Sequence, residues 1–193
     1  MLETMRSEIR RRMKRFVRLA SPHRFARHQG GSATVEFGLI LLPFLALMFG
    51  IMQTALVFFA DQTLQTSVSD SARLILTGQA QNQGLDATTF KKQVCARVYG
   101  LFNCQSGISV NVQKFSSFGG ISYTPPIDSS GHLDTSGFGY NPGGPGDIVV
   151  VTLYYQWPIF FTLMDFSSLG TPGLAGGNRL LVATAAFRNE PYN

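Results

Sequence analysis

From Phe37 to Ala60 the chain runs for 24 residues without Asp, Glu, Lys, Arg or His, and only Gln53 and Thr54 are clearly polar. As a helix at ~1.5 Å per residue this run is roughly 36 Å long, enough to cross a hydrocarbon core of about 30 Å with some tilt. The apolar core of a secretory signal is about 7–15 residues and precedes its cleavage site, so this longer run reads as a retained membrane span. The alternative, a buried helix of a soluble core, rarely stays uncharged this long. Beyond Ala60 the pattern changes without a break. Leu64, Val68, Ala72 and Ile75/Leu76 recur at helical spacing, with Gln62, Gln65, Thr66, Ser67, Asp70 and Arg73 on other faces. No glycine or proline stands between Ile51 and Thr77, and Gly78 supplies a stop. The pattern predicts one helix over about 33–77, apolar all round at first and amphipathic afterwards, with Pro43 and Gly50 as bend points.

Residues 79–87 read as a polar linker. A second helix is expected from a cap at Thr88 or Thr89 to about Phe102, with Phe90, Val94, Val98 and Leu101/Phe102 on one face. Gly107–Phe115 alternates as a half-buried strand. Residues 116–146 read as a flexible loop, because their 31 positions hold eight Gly, four Pro and six Ser without periodicity. Asp147–Trp157 is β-branched and aromatic and predicts the strongest strand, stopped by Pro158. Residues 166–178 are Gly-rich, and Arg179–Phe187 reads as a last strand. Helices followed by three strands predict an α+β domain, an antiparallel sheet packed on the amphipathic half of the long helix.

Charge adds an orientation. Nine of the 16 Lys/Arg and two of the 11 Asp/Glu fall in residues 1–31, so that segment carries +7 and the remainder −2 of the net +5. A basic block beside a span stays cytoplasmic, which puts residues 79–193 in the periplasm of a bacterium. The span accounts for the arginines better than nucleic-acid binding does. Cys95 and Cys104 both lie beyond the span. In an oxidising compartment such a pair is most simply a disulfide, the alternative being two free buried thiols.

Candidate chemistry is sparse. His23 and His28 lie in the basic segment, which leaves His132 alone to serve the exported part. That removes most nucleophile–histidine and histidine–metal sites. His132 lies in a loop region with Asp128, Asp134 and Asp147, but these acids lack EF-hand spacing. No phosphate loop or dinucleotide fingerprint appears. The expectation is a protein that is not an enzyme and takes no cofactor. Phe160, Phe161, Met164 and Phe166 form an apolar cluster that reads as core or membrane-surface contact, against an exposed patch for another subunit.

Glu36 stands at the edge of the span, where a carboxylate is costly and marks a functional position. The run Gly31-Ser32-Ala33-Thr34-Val35-Glu36-Phe37 and the apolar helix after it resemble the start of type IV pilin-like proteins. The resemblance is greatest to the TadE/TadG-like family of the tight-adherence (Tad, or Flp) pilus system. It extends into Gln62-Thr63-Leu64-Gln65 and Ser71-Ala72-Arg73, and to the ending Thr184-Ala185-Ala186-Phe187-Arg188-Asn189-Glu190-Pro191. Phe37 stands where the major Flp pilins have tyrosine, and the leader is long.

The resemblance implies a pseudopilin or minor pilin, embedded in the inner membrane, that helps assemble a thin adhesive pilus. It implies a prepilin peptidase cutting between Gly31 and Ser32, with Glu36 as fifth mature residue. A freed amine at Ser32 is a charge that Glu36 of a neighbouring subunit can neutralise, offsetting part of the desolvation of both. The expected partners are other pilus-assembly membrane proteins, pilin-like subunits and that peptidase, with no nucleic acid. The rival readings are a membrane-anchored periplasmic binding or adhesin domain acting outside a filament, and an anchored exported enzyme.

Overall fold

A computed structural model describes residues 32–98, 100, 102–159, 174 and 176–192. The chain divides into two units, Met1–Met48 and Phe49–Asn193. One helix, α1 (Ser32–Leu76), begins in the first and ends in the second. In the first unit its apolar side chains are exposed: Val35, Phe37, Leu39, Ile40, Leu42, Phe44 and Leu47 are each more than half accessible. Nothing in that unit's described residues buries them. Such a stretch is stable only where its surroundings are apolar.

In the second unit α1 buries a stripe instead. Val57, Ala60, Leu64, Ser67/Val68, Ser71/Ala72 and Ile75 recur every three or four residues and are all buried. After Leu76 the chain turns at Gly78 (φ 75°), makes a single turn α2 (Gln79–Asn82), and enters α3 (Ala87–Cys95). A short α4 (Cys104–Gly107) leads into β1 (Ile108–Phe115), and β2 (Ile148–Pro158) and β3 (Asn178–Arg188) follow. The sheet is antiparallel in the order β1-β2-β3. Val112 lies opposite Val151, and Val151 opposite Ala185.

Alternation along the strands supplies the core. Ile108 and Val112 of β1, Val149, Val151, Leu153, Tyr155 and Trp157 of β2, and Leu181 and Ala183 of β3 share one face with the α1 stripe and with Phe90, Val94 and Val98. β2 is buried on its other face too, where Tyr154 gathers Leu174 and Leu180 with Ile127, Leu133, Phe138 and Val182. Hence β2 reads as an almost unbroken apolar run, as a strand covered on both faces must.

The α+β architecture and the antiparallel sheet agree with the sequence expectation. Four local readings change. The expected linker contains α2. The cap of α3 is Asp86, whose carboxylate accepts the Thr89 N–H at 2.7 Å, and not Thr88 or Thr89. α3 ends at Cys95, well before Phe102, because the chain must turn back to join Cys95 to Cys104. Phe102 still reaches the core, edge-on to Tyr155 at 4.7 Å. Finally, residues 116–146 are irregular but tied to the sheet: Val112 donates to the Gly139 carbonyl and accepts from Asn141, which covers the free edge of β1. Phe160, Phe161, Met164, Phe166 and Leu101 lie outside the described residues.

Candidate subunit-assembly helix

Gly31 lies outside the described residues. Ser32 is the first residue of α1. Glu36 and Phe37 follow one turn later, and both are exposed. They are neighbours in sequence, so they project about 100° apart around the axis at 3.6 residues per turn. Within the first unit the helix therefore presents a single acidic position on an apolar surface. By length and composition α1 is able to cross a membrane: its most apolar 18-residue window has a mean hydropathy of 2.2 and none of that window is buried. The uncharged run extends four residues into the packed region, because Val57 and Ala60 are buried there while Phe58 and Phe59 remain exposed.

Cys95 and Cys104 are joined as a disulfide, with their Cα atoms 5.6 Å apart. The bond ties the end of α3 to the start of α4, immediately ahead of β1. It belongs to the second unit, whereas Ser32, Glu36 and Phe37 belong to the first.

The tail forms a latch that sequence reading missed. Glu190 N–H donates to the Leu76 carbonyl at 2.9 Å, closing the last turn of α1. Asn189 donates through Nδ2 to the carbonyls of Pro142 and Gly144, and Gln81 Nε2 also reaches Pro142. Arg188 Nε donates to Gly146. The Tyr192 ring lies on Gly78, where a Cβ would collide with it. Thus the ending Thr184–Pro191 completes β3 and then fastens the end of the helix to the 142–146 turn. No single residue there announces the contact. The Asn-Pro-Gly-Gly-Pro-Gly run at 141–146 signals a turn but not its partner.

Several aspartates of the second unit serve local structure. Asp128 accepts from the N–H groups of Ser130 and His132, and Asp134 from that of Ser136. Asp147 accepts from Gly144 N–H and pairs with Lys114 Nζ at 2.8 Å. Side-chain and backbone hydrogen bonding at Thr89, at Ser136 and at Lys114 with Gly144 holds Asp86, Asp134 and Asp147, respectively, below the ordinary carboxylate value. Burial, reinforced by Asp86, pushes the Tyr140 phenol up to about 12. Tyr140 packs on Phe90 with ring centres 5.3 Å apart. Among the described residues no group of three His, Cys, Asp or Glu side chains is arranged to hold a metal ion.

Comparison with known proteins bears on α1. Residues 31–73 match the family described as TadE-like protein. The match begins at Gly31, takes in Glu36, and ends at Arg73 near the end of α1. The sheet, the disulfide and the latch lie outside it. No curated protein and no solved structure matches the chain.

Proposed function

We propose that this chain is a minor pilin-like subunit of a tight-adherence pilus system, held in the bacterial inner membrane by α1. Residues 1–31 are its cytoplasmic leader and the disulfide-bonded domain lies in the periplasm. The observation that carries this reading is the TadE-like match over residues 31–73, which coincides with a helix apolar on all sides at its start and amphipathic at its end. The basic segment supports the orientation. The exposed Phe58 and Phe59, beside the buried Val57 and Ala60, fit a domain resting at the membrane surface.

In this reading a prepilin peptidase cuts between Gly31 and Ser32. The new amine at Ser32 then pairs with Glu36 of an adjacent subunit in a low-dielectric setting and fixes the stagger of neighbouring helices. Phe37, about 100° further round the axis, offers its exposed ring to a neighbouring helix. The protein performs no catalysis and takes no cofactor; its work is assembly. A domain of this size suits an initiating, tip or accessory subunit rather than a shaft.

Two measurements test it. N-terminal sequencing and intact mass of the membrane-extracted protein should give a start at Ser32; an intact leader makes the chain a stationary membrane component. Glu36→Ala should lower piliation while the protein still inserts in the membrane. Normal piliation in that variant removes the role given to Glu36.

A further inference from the structure

The outer face of the sheet carries an open groove of about 360 Å³. Val150, Thr152 and Tyr154 of β2 line it, with Asn111 and Gln113 of β1 beside them and parts of segments 121–126 and 134–138. The lining contains one carboxylate, Asp134, and no lysine, arginine or histidine, while nine of the sixteen lining residues carry neutral hydrogen-bonding side chains. An anionic ligand would find no cation there. An apolar ligand would strip water from the exposed ones, Ser122, Tyr123, Thr124 and Ser136 among them, and leave them without partners, at a cost for each.

Asn111 and Asp134 are each held by a backbone N–H and still have capacity, and Gln113 is held more loosely. Asn111 Oδ1 accepts the Gly139 N–H at 3.0 Å, which leaves both Nδ2 protons to donate. Gln113 Nε2 lies 3.5 Å from the Gly137 carbonyl, which leaves Oε1 to accept. Asp134 Oδ1 accepts from Ser136 N–H at 2.9 Å, which leaves Oδ2. Donors and acceptors held at fixed positions are what a ligand bearing many hydroxyls requires, since each hydroxyl both gives and takes a bond. Tyr123, 57% exposed, supplies aromatic surface, while the buried Tyr154, stacked on Phe138 with ring centres 4.8 Å apart, belongs to the groove's floor. Amphipathic rings of this kind cover the C–H face of a sugar while their polar ends stay wet.

We propose that this groove binds a neutral saccharide, with Asn111, Gln113 and Asp134 bonding its hydroxyls and Tyr123 covering one face of a ring. The inference is independent of the assembly role, because it uses no residue of the first unit. The test uses the full chain in lipid nanodiscs, since maltoside detergents are themselves sugars. Saturation-transfer NMR against a panel of neutral, sialylated and sulfated oligosaccharides should pick out neutral members. Asn111→Ala and Tyr123→Ala should each weaken the best one at least tenfold and fivefold, respectively, and Lys91→Ala, outside the groove, should not. A monodeoxy analogue lacking a bonded hydroxyl should also lose at least tenfold. Tyr123 is exposed, so its replacement should leave the melting temperature unchanged and keep the test valid where Asn111→Ala disturbs the loop. The proposal is overturned if no neutral saccharide saturates below about 10 mM, if only the anionic sugars bind, or if affinity is unchanged in Tyr123→Ala.

Discussion

Leu42 and Leu64 stand in the same helix, yet Leu42 is 72% exposed and Leu64 is fully buried. The difference separates two uses of apolar surface. In the first unit the helix has apolar side chains around its whole circumference and one carboxylate, so no face is distinguished as a core. In the second unit small and branched residues form one stripe, and the opposite side is Gln62, Thr66, Asp70 and Arg73. Total hydrophobicity shows that both halves avoid water. Only the periodicity shows that the second half is completed by its own chain while the first needs lipid or other helices.

That contrast can be broken most sharply at the leucines. Leu64→Ala should destabilise the folded domain by about 2–5 kcal/mol, through lost burial plus the cavity left behind. Leu42→Ala should change the same thermal transition by less than about 0.5 kcal/mol. Equal effects, measured by melting of the reconstituted protein, would erase the distinction between the halves.

Replacing both Cys95 and Cys104 by Ser should cost about 2–3 kcal/mol on the chain-entropy estimate for so short a loop. The loss belongs to the second unit alone, so membrane insertion should persist; failure to insert would show that the units are not separable. The latch gives a smaller and more diagnostic effect. Gly78→Ala forces a side chain into a left-handed backbone conformation and into the Tyr192 ring, for about 1–3 kcal/mol. Adding Tyr192→Ala removes the collision and should recover part of that loss but not the backbone strain. Full recovery would place the whole cost in the ring.

The weakest expected effect is on acid stability. The bonded aspartates Asp86, Asp134 and Asp147 are held below their ordinary value of 3.8 in the folded chain. A depressed carboxylate stabilises the fold above its unfolded value, and that contribution is lost as pH falls through the folded one. The melting temperature of the domain should therefore decline below about pH 4, and Asp147→Asn with Lys114→Met should make the decline shallower. An unchanged profile in that double variant would mean that the Lys114–Asp147 pair contributes nothing to it.

Much of this was legible in the chain. The uncharged run, the change to a stripe at Leu64, and the stop at Gly78 are all local signals, because a helix repeats every 3.6 residues and a membrane has a fixed thickness. The three strands were legible to within a residue of their ends, since alternation and β-branching follow from the pleat itself. Glu36 was visible as a lone carboxylate beside an apolar run. The almost unbroken apolar run of β2 also carries a signal of cover on both sides, since a strand apolar on both faces must have something on each.

What covered the second face was decided only in three dimensions. The loop from 116 to 146 has no period, so nothing local says that Ile127, Leu133 and Phe138 will meet Tyr154, or that Gly139 and Asn141 will close the edge of β1. The groove arises from the same accident of return, because Asn111 and Asp134 come from segments with no shared pattern. The tail is similar: Glu190 meets Leu76 across more than a hundred residues. The sequence by itself determined the long helix, the three strands, their order and the position of the acidic residue beside the apolar run, since each is set by short-range periodicity, composition and charge. The tertiary structure decided the latch, the covered sheet and the groove, because these depend on where long irregular segments come back, and that is fixed by packing of the whole domain rather than by any window of residues.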